Sequence, residues 1–241
     1  MPKVGVCYES EGEVGEIVRH KLAHAELNAF EIINELHKKT GGQQMDSARF
    51  KKQLEFIVEI DKLKQILRNT ILMDASRREN DAEHSWHMAV AAMILCEYAN
   101  EENLDMLKVF KMILLHDIVE IDAGDTFAYG NVNIKEKAEK EKKAAERIFG
   151  LLPSDQASEF KAIWDEYENG STPEAKFSQA IDSFMPIFHN YKTHGLQWQR
   201  LNVTSDKVLS RNKRIERGSN TLWRYIEEIV NDAVEKGYLK C

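Results

Sequence analysis

Hydrophobic residues recur every three or four positions along most of the chain, which is the period of amphipathic helices. The clearest example is 46–67, where Phe50, Leu54, Ile57, Ile60 and Leu63 fall on one face. The same period predicts helices over 16–39, 81–100, 104–121, 134–149, 154–168, from Thr172-Pro173 onward, and 219–236. The segments 68–81 and 122–133 lack it and are predicted to be loops, and no strand pair is predicted.

This pattern predicts an all-α protein with two parts. Gly41-Gly42 ends the first predicted helix, so 1–45 is interpreted as an N-terminal helical extension. Residues 46–241 then form the main domain with its C-terminal helices. We expect a homodimer, because twofold dimers are the commonest assembly of soluble chains.

Composition narrows the class of protein. Hydrophobic residues make up 43% and charged residues 30%, which is typical of globular domains. The net charge of −7 argues against binding a nucleic acid polymer, but it allows a small phosphorylated substrate at a local site. Three scattered cysteines, no apparent signal peptide and no apolar run long enough for a membrane span indicate a cytoplasmic protein without a membrane anchor.

One adjacent histidine–aspartate pair is the strongest candidate for a metal-binding site. His116 and Asp117 lie in the apolar segment KMILLHDIVEIDAGD, where burial of two ionisable groups is costly without compensation. A divalent cation compensates, because it binds a neutral imidazole and a carboxylate together. Glu120 follows within one helical turn, where it could act as a general acid or base without binding the metal.

A metal site needs further ligands, and two candidates have similar surroundings. His84 opens the preceding helix, in which Asp81 is the expected N-cap, and Asp182 lies in the apolar segment SQAIDSFM. A lone helical histidine is more often a packing residue than a ligand, and Asp182 alone could pair with an arginine. The combination of two histidines and two aspartates on three helices is what favours a mixed nitrogen and oxygen site.

The ordered set His84, His116-Asp117 and Asp182 resembles the H…HD…D signature of HD-domain metal-dependent phosphohydrolases. The segments RRENDAEHSWHMA and LLHDIVEIDAGD are more specific, and they resemble the 5′-deoxynucleotidase branch of that family. The resemblance covers about residues 50–190. It implies an HD-type helical bundle with a metal site between helices.

The resemblance also implies roles for individual residues. The two histidines, Asp117 and Asp182 match the family's ligands for one divalent ion, which could be Mn, Co, Fe, Zn or Mg. Glu120 and Asp125 match acidic catalytic residues. The expected phosphate-binding residues are Arg68 and its neighbours Arg77 and Arg78.

The implied activity is hydrolysis of a phosphomonoester, with nucleoside 5′-monophosphates as the expected substrates. One position departs from the family pattern, because Asn69 follows Arg68 where a tryptophan is expected to select the sugar. The sequence therefore does not indicate a preference for deoxyribose over ribose. Two alternatives stay open: a phosphodiesterase acting on nucleotides, and a non-catalytic protein that binds a metal ion or a nucleotide.

Overall fold

Helices dominate the described part of the chain, which comprises residues 46–124 and 133–241 of a computed structural model. The helix predicted over 16–39 and the proposed catalytic residue Asp125 lie outside these ranges. The chain divides into two compact units, Met1–Phe50 and Lys51–Cys241. The boundary predicted at 45 remains a prediction.

The N-terminal half of the described chain contains four helices and two short strands: α1 (Ser47–Ile60), β1 (Leu67–Ile71), β2 (Arg78–Asn80), α2 (Asp81–Leu95), α3 (Met106–Leu115) and α4 (Glu120–Ala123). Short 3₁₀ turns follow α1, α2 and α3 at Asp61–Gln65, Cys96–Tyr98 and His116–Val119. The C-terminal half contains α5 (Ile134–Phe149), α6 (Ser154–Asn169), α7 (Pro173–Lys192), α8 (Leu196–Arg200), α9 (Ser205–Asn212), α10 (Arg214–Gly218) and α11 (Asn220–Glu235). The predicted all-α HD-type bundle is confirmed.

The segment predicted as a loop before α2 is instead an antiparallel hairpin. Strand β1 pairs with β2, with Leu67 opposite Asn80, Ile71 opposite Arg78 and an irregular register between them. The prediction was wrong because strands of five and three residues carry too few positions to show an alternating pattern. The hairpin carries Arg68 and Glu79 towards the helical core.

The helix predicted over 104–121 is also divided. Helix α3 ends at Leu115, a 3₁₀ turn covers His116–Val119, and α4 begins at Glu120. Hydrophobic periodicity cannot reveal this change, because all four residues of the turn are buried. The His-Asp pair therefore lies on a tightened turn, of the kind that often marks a functional position.

Side chains cap the N-termini of two helices that contribute residues to the candidate site, α2 and α7. Asn80, rather than the expected Asp81, caps α2 and forms a capping box with Glu83. Asp81 is the first helical residue instead, and it is fully buried. Thr172 caps α7 and Pro173 follows at the first helical position, as the sequence predicts.

The core consists of two large hydrophobic clusters on either side of the His-Asp turn. One joins α2, α3, α7 and the C-terminal helices and includes Met88 and Ile113. The other joins α1, α5 and α6 to the turn itself and includes Ile118 and Ile148.

Helices α8, α9 and α10 were not predicted, because helices of five to eight residues are too short for a clear period. No helix within 46–124 or 133–241 is long and apolar enough to cross a membrane.

Replacing the α7 cap should destabilise the fold. In Thr172→Ala, the backbone N–H of Ala175 loses its side-chain acceptor, 3.3 Å away. We expect a loss of about 1 kcal/mol and a Tm about 2–4 °C lower. Thermal unfolding followed by circular dichroism measures the change. Ser171→Ala, one residue earlier and exposed, is the matched control; an equal shift in both variants would contradict the capping role.

Candidate metal centre

Three donor side chains from separate elements meet between the two clusters. His84 comes from the first turn of α2, His116 from the 3₁₀ turn and Asp182 from the middle of α7, and one donor atom from each lies within 4.8 Å of the others. His84 Nε2 is 3.2 Å from Asp182 Oδ1, and His116 Nε2 is 3.9 Å from the same oxygen. Asp117 Oδ2 lies 3.1 Å from His116 Nε2. The structure thus brings together all four predicted ligands.

The ring of His116 is oriented for coordination. Its Nδ1 is 2.7 Å from the carbonyl oxygen of Ile113, which can accept a hydrogen bond only from a protonated nitrogen. The other nitrogen, Nε2, is buried, and its nearest partners are carboxylate oxygens of Asp117 at 3.1 Å and Asp182 at 3.9 Å. A backbone partner on one ring nitrogen and carboxylates near the other are typical of a metal-binding imidazole.

The pKa of His116 indicates that a bound cation would replace a proton. Burial by itself would lower the pKa of His116, but the charge and proximity of Asp117 outweigh burial and raise it to about 9. Without a metal ion, the site is therefore neutralised by a proton on His116. A divalent ion can take the place of that proton, since it binds the neutral imidazole. The donor set consequently fits a divalent metal ion.

His84 is held from both sides of its ring. Nε2 faces Asp182, while Nδ1 lies 3.5 Å from Oε2 of the buried Glu79 on β2. A carboxylate behind a histidine favours the tautomer that leaves the opposite nitrogen available to a cation. The hairpin therefore contributes to the site through a residue that the sequence analysis did not single out.

Arginine side chains neutralise both aspartates. Arg68 Nη1 donates to Asp117 Oδ2 at 2.7 Å and to Asp81 Oδ1 at 3.0 Å. Arg214, from α10, donates to Asp182 Oδ2 at 2.8 Å. Burial would raise the pKa of both Asp117 and Asp182, but the neighbouring histidines and arginines outweigh it and hold both well below the usual range. Both carboxylates are therefore ionised and available to a cation.

The sequence analysis missed Arg214. The signal that could have found it is the basic segment RNKRIER at 211–217, in a chain whose net charge is negative. The sequence does not reveal which residue this basic segment contacts. Arg214 is more than thirty positions from Asp182 and reaches it only because α10 packs on α7.

Glu120 lies beside the predicted ligands, as expected. It is buried and shares a side-chain hydrogen bond with Asp81. Burial and the nearby charge of Asp117 raise the pKa of Asp81 to about 6. Two carboxyl groups that share a hydrogen bond need a proton between them, so this pair can store a proton next to the donor set.

These groups face a cavity of about 400 Å³. Arg68, Lys137, Arg211 and Arg214 contribute positive charge to its lining, and Asp117, Glu120, Glu141, Glu168 and Asp182 contribute negative charge. The volume is within the range of small-molecule sites. With a divalent ion added at the donor set, the positive charges outweigh the negative ones, which suits a small anion.

The structure does not bring Arg77 and Arg78 to this cavity. Arg77 is exposed and forms a two-point ion pair with Glu83, at 2.6 and 2.8 Å. Arg78 is exposed and donates to the backbone carbonyls of Leu67 and Arg68. Asp125 lies outside the described residues.

A largely helical domain in which two histidines and two aspartates meet in the interior belongs to the class of helical proteins with a metal site between helices. The family model of the HD domain matches residues 60–223, and this chain belongs to the HD domain family. Family membership and the fit of the donor set imply a divalent metal ion.

Individual relatives agree with this assignment. The human protein named 5′-deoxynucleotidase HDDC2 is 32% identical over 130 residues, which are 54% of this chain and 62% of the human protein. A 5′-deoxynucleotidase of Schizosaccharomyces pombe is 35% identical over 113 residues, or 45% of this chain and 55% of that protein. This chain therefore spans less than two thirds of the length of these relatives.

A solved structure matches over a larger part of the chain. A predicted metal-dependent phosphohydrolase from Magnetospirillum magnetotacticum is 51% identical, with a TM-score of 0.77 over 80% of this chain and 97% of that one. A conserved hypothetical protein from Pyrococcus furiosus, 21% identical with a TM-score of 0.50, shows the fold alone.

Metal binding to the metal-free protein should release a proton. Because the pKa of His116 is about 9, its Nε2 carries a proton at neutral pH that the ion must displace. Below that pKa, the apparent affinity should rise by up to about tenfold per pH unit as the pH increases from 6.5 to 9. Calorimetric titration with Mn²⁺ at pH 7.5, in two buffers of different ionisation enthalpy, counts the protons released. Binding without proton release would contradict the role of His116.

Proposed function

We propose that this chain is a metal-dependent phosphomonoesterase that hydrolyses nucleoside 5′-monophosphates. The observation that carries the proposal is the position of Arg68 and Arg214, one on each side of the candidate metal donors at the same cavity. The names of the relatives, 5′-deoxynucleotidase and metal-dependent phosphohydrolase, support the same reaction.

His84, His116, Asp117 and Asp182 would hold one divalent ion. A donor set of two imidazoles and two carboxylates suits several ions, so Mn, Co, Fe, Zn and Mg all remain candidates. When bound, the ion supplies Lewis-acid stabilisation of the charge on a phosphoryl group. Ile113 and Glu79 lie behind the second nitrogens of the two histidines, and the Nε2 atoms face the carboxylates that would share the ion.

The two arginines bind the phosphate in this proposal. Arg68 has a side chain that is 12% exposed, so its charge acts where water is largely excluded. Arg214 is more exposed, which leaves part of its guanidinium accessible to a ligand in the cavity. Guanidinium groups match phosphate oxygens geometrically and stay charged at all relevant pH values. Arg77 and Arg78 are not part of this arrangement, because neither lines the cavity and both bind partners outside it.

Glu120 handles the proton. It lines the cavity and shares a hydrogen bond with Asp81, whose pKa is raised to about 6 by burial and by the charge of Asp117. Asp81 can therefore exchange a proton with Glu120 near neutral pH. We assign Glu120 as the acid–base residue and retain Asp125 as a second acidic catalytic residue on the strength of the sequence resemblance.

Two substitutions should separate metal binding from chemistry. Asp117→Ala removes a proposed ligand, so metal content and phosphate release from nucleoside monophosphates should both be lost. Glu120→Gln removes only proton transfer, so the metal should stay bound while kcat falls by about 10²–10⁴-fold. Metal analysis and inorganic phosphate release measure the two effects, and circular dichroism checks the fold. Glu139→Gln, on the exposed side of α5, is the matched control.

Substrate choice decides between the proposal and its alternatives. The panel should pair each ribonucleoside 5′-monophosphate with its 2′-deoxy form and include cyclic and linear diesters, because Asn69 leaves the sugar preference open. Turnover of diesters alone would favour a phosphodiesterase. Binding of nucleotide without turnover by the metal-loaded protein would favour the non-catalytic alternative.

Two further expectations belong with this proposal. A homodimer is proposed from the prevalence of twofold assemblies, and light scattering at several concentrations measures it. A cytoplasmic location is proposed from the scattered cysteines, which indicate a reducing compartment.

A further inference from the structure

A second group of metal-binding side chains lies next to the centre described above. Glu79 of β2, His87 of α2 and His189 of α7 each offer one donor atom, and the three atoms lie within 4.8 Å of one another. Glu79 and His189 are buried, and His87 is partly buried. None of the three belongs to the predicted ligand set, so the proposed hydrolysis leaves their proximity unexplained.

The ring of His189 is fixed by the backbone. Its Nδ1 is 3.1 Å from the carbonyl oxygen of Ile71 at the end of β1, so this nitrogen carries the hydrogen. The lone pair is therefore on Nε2, which faces His87 Nδ1 at 3.4 Å. His116 shows the same arrangement at the first centre, where Ile113 accepts from Nδ1. A backbone carbonyl behind an imidazole is a common support for a metal ligand.

The nitrogen–nitrogen distance suits a shared ion. A tetrahedral ion bound at about 2.0–2.1 Å separates two ligand nitrogens by roughly 3.4 Å. A direct N–H···N hydrogen bond is usually shorter than the observed distance.

Glu79 supplies a buried carboxylate that needs a positive partner. Its Oε2 lies 3.5 Å from His84 Nδ1 and 3.9 Å from Arg68 Nε, and both distances exceed those of good charge-assisted hydrogen bonds. Within the described residues, this oxygen makes no hydrogen bond of ordinary geometry. The contact with His84 is long, so this oxygen of the buried carboxylate lacks a close partner, and a bound cation would offset the cost of burying it.

We propose that Glu79, His87 and His189 bind a second divalent ion of the Zn²⁺ class, separate from the ion of the HD centre. Two imidazoles and one carboxylate form a donor set that zinc sites use, with water in the remaining position. The partly buried side of His87 gives that water and the entering ion a route. The ion would link β2, α2 and α7, and it would hold Glu79 behind His84.

Metal stoichiometry tests the proposal without using enzyme activity. The full chain is stripped with a chelator and dialysed against Co²⁺, which reports tetrahedral nitrogen and oxygen coordination by its visible absorption. His87→Asn should bind one equivalent fewer than the wild type and lose the part of the absorption that comes from this cluster. His116→Ala removes a ligand of the HD centre but should keep that part of the absorption. His194→Asn, which changes an exposed histidine, should match the wild type.

A stability measurement guards against misfolded variants. In the His116→Ala background, Zn²⁺ should raise the Tm, because an ion that binds only the folded state stabilises it. When His87→Asn is added to this background, Zn²⁺ should no longer raise the Tm. The Tm measured in chelator should fall by much less than that lost rise. His87→Gln tests the same point with a second replacement. Equal Co²⁺ content in wild type and both His87 variants, or an unchanged Zn²⁺-dependent rise, would overturn the proposal. Either result would leave the proposed hydrolysis untouched, because His87 contacts neither Asp117 nor Glu120 in that mechanism.

Discussion

The structure depends on the burial of charged groups between two hydrophobic clusters. His84, His116, Asp117 and Asp182 occupy positions where apolar packing would otherwise continue, so each needs a partner that remains when water is excluded. Arg68 and Arg214 supply part of the compensation, and the proton that the raised pKa of His116 holds at neutral pH adds to it in the absence of metal. A divalent ion can replace that proton, which is why the arrangement is both stable and suited to binding a cation.

This constraint explains features of the fold that appear unrelated. The hairpin is short and irregular, yet it carries Arg68 to Asp117 and Glu79 to His84. The 3₁₀ turn breaks a helix that could have continued, and it aims His116 and Asp117 into the cavity. Helix α10 has only five residues, but its first residue, Arg214, neutralises Asp182. Each irregular element thus positions ionisable side chains at the site between the two clusters.

Four histidines in the described part of the chain, His84, His116, His87 and His189, belong to two donor groups that share the same elements. α2 contributes His84 to one group and His87 to the other, and α7 contributes Asp182 and His189. Residues three apart on one helix, or seven apart, lie near the same face, so two packed helices can build two donor sets side by side. Glu79 lies between the groups, 3.5 Å from His84 and close to His87. A second ion would therefore fix a residue that orients a ligand of the first.

The sequence by itself determined the helical class, the caps at Thr172 and Pro173 and the presence of His84, His116, Asp117, Glu120 and Asp182 at one site. Helical periodicity and buried polar groups are local signals, and the HD signature keeps its order along the chain. Only the tertiary structure decided that 67–80 is a hairpin, that Arg214 rather than Arg77 or Arg78 reaches the site, and that Glu79, His87 and His189 meet. These are contacts between residues far apart in the sequence, and their formation depends on how the helices pack, which no local pattern records.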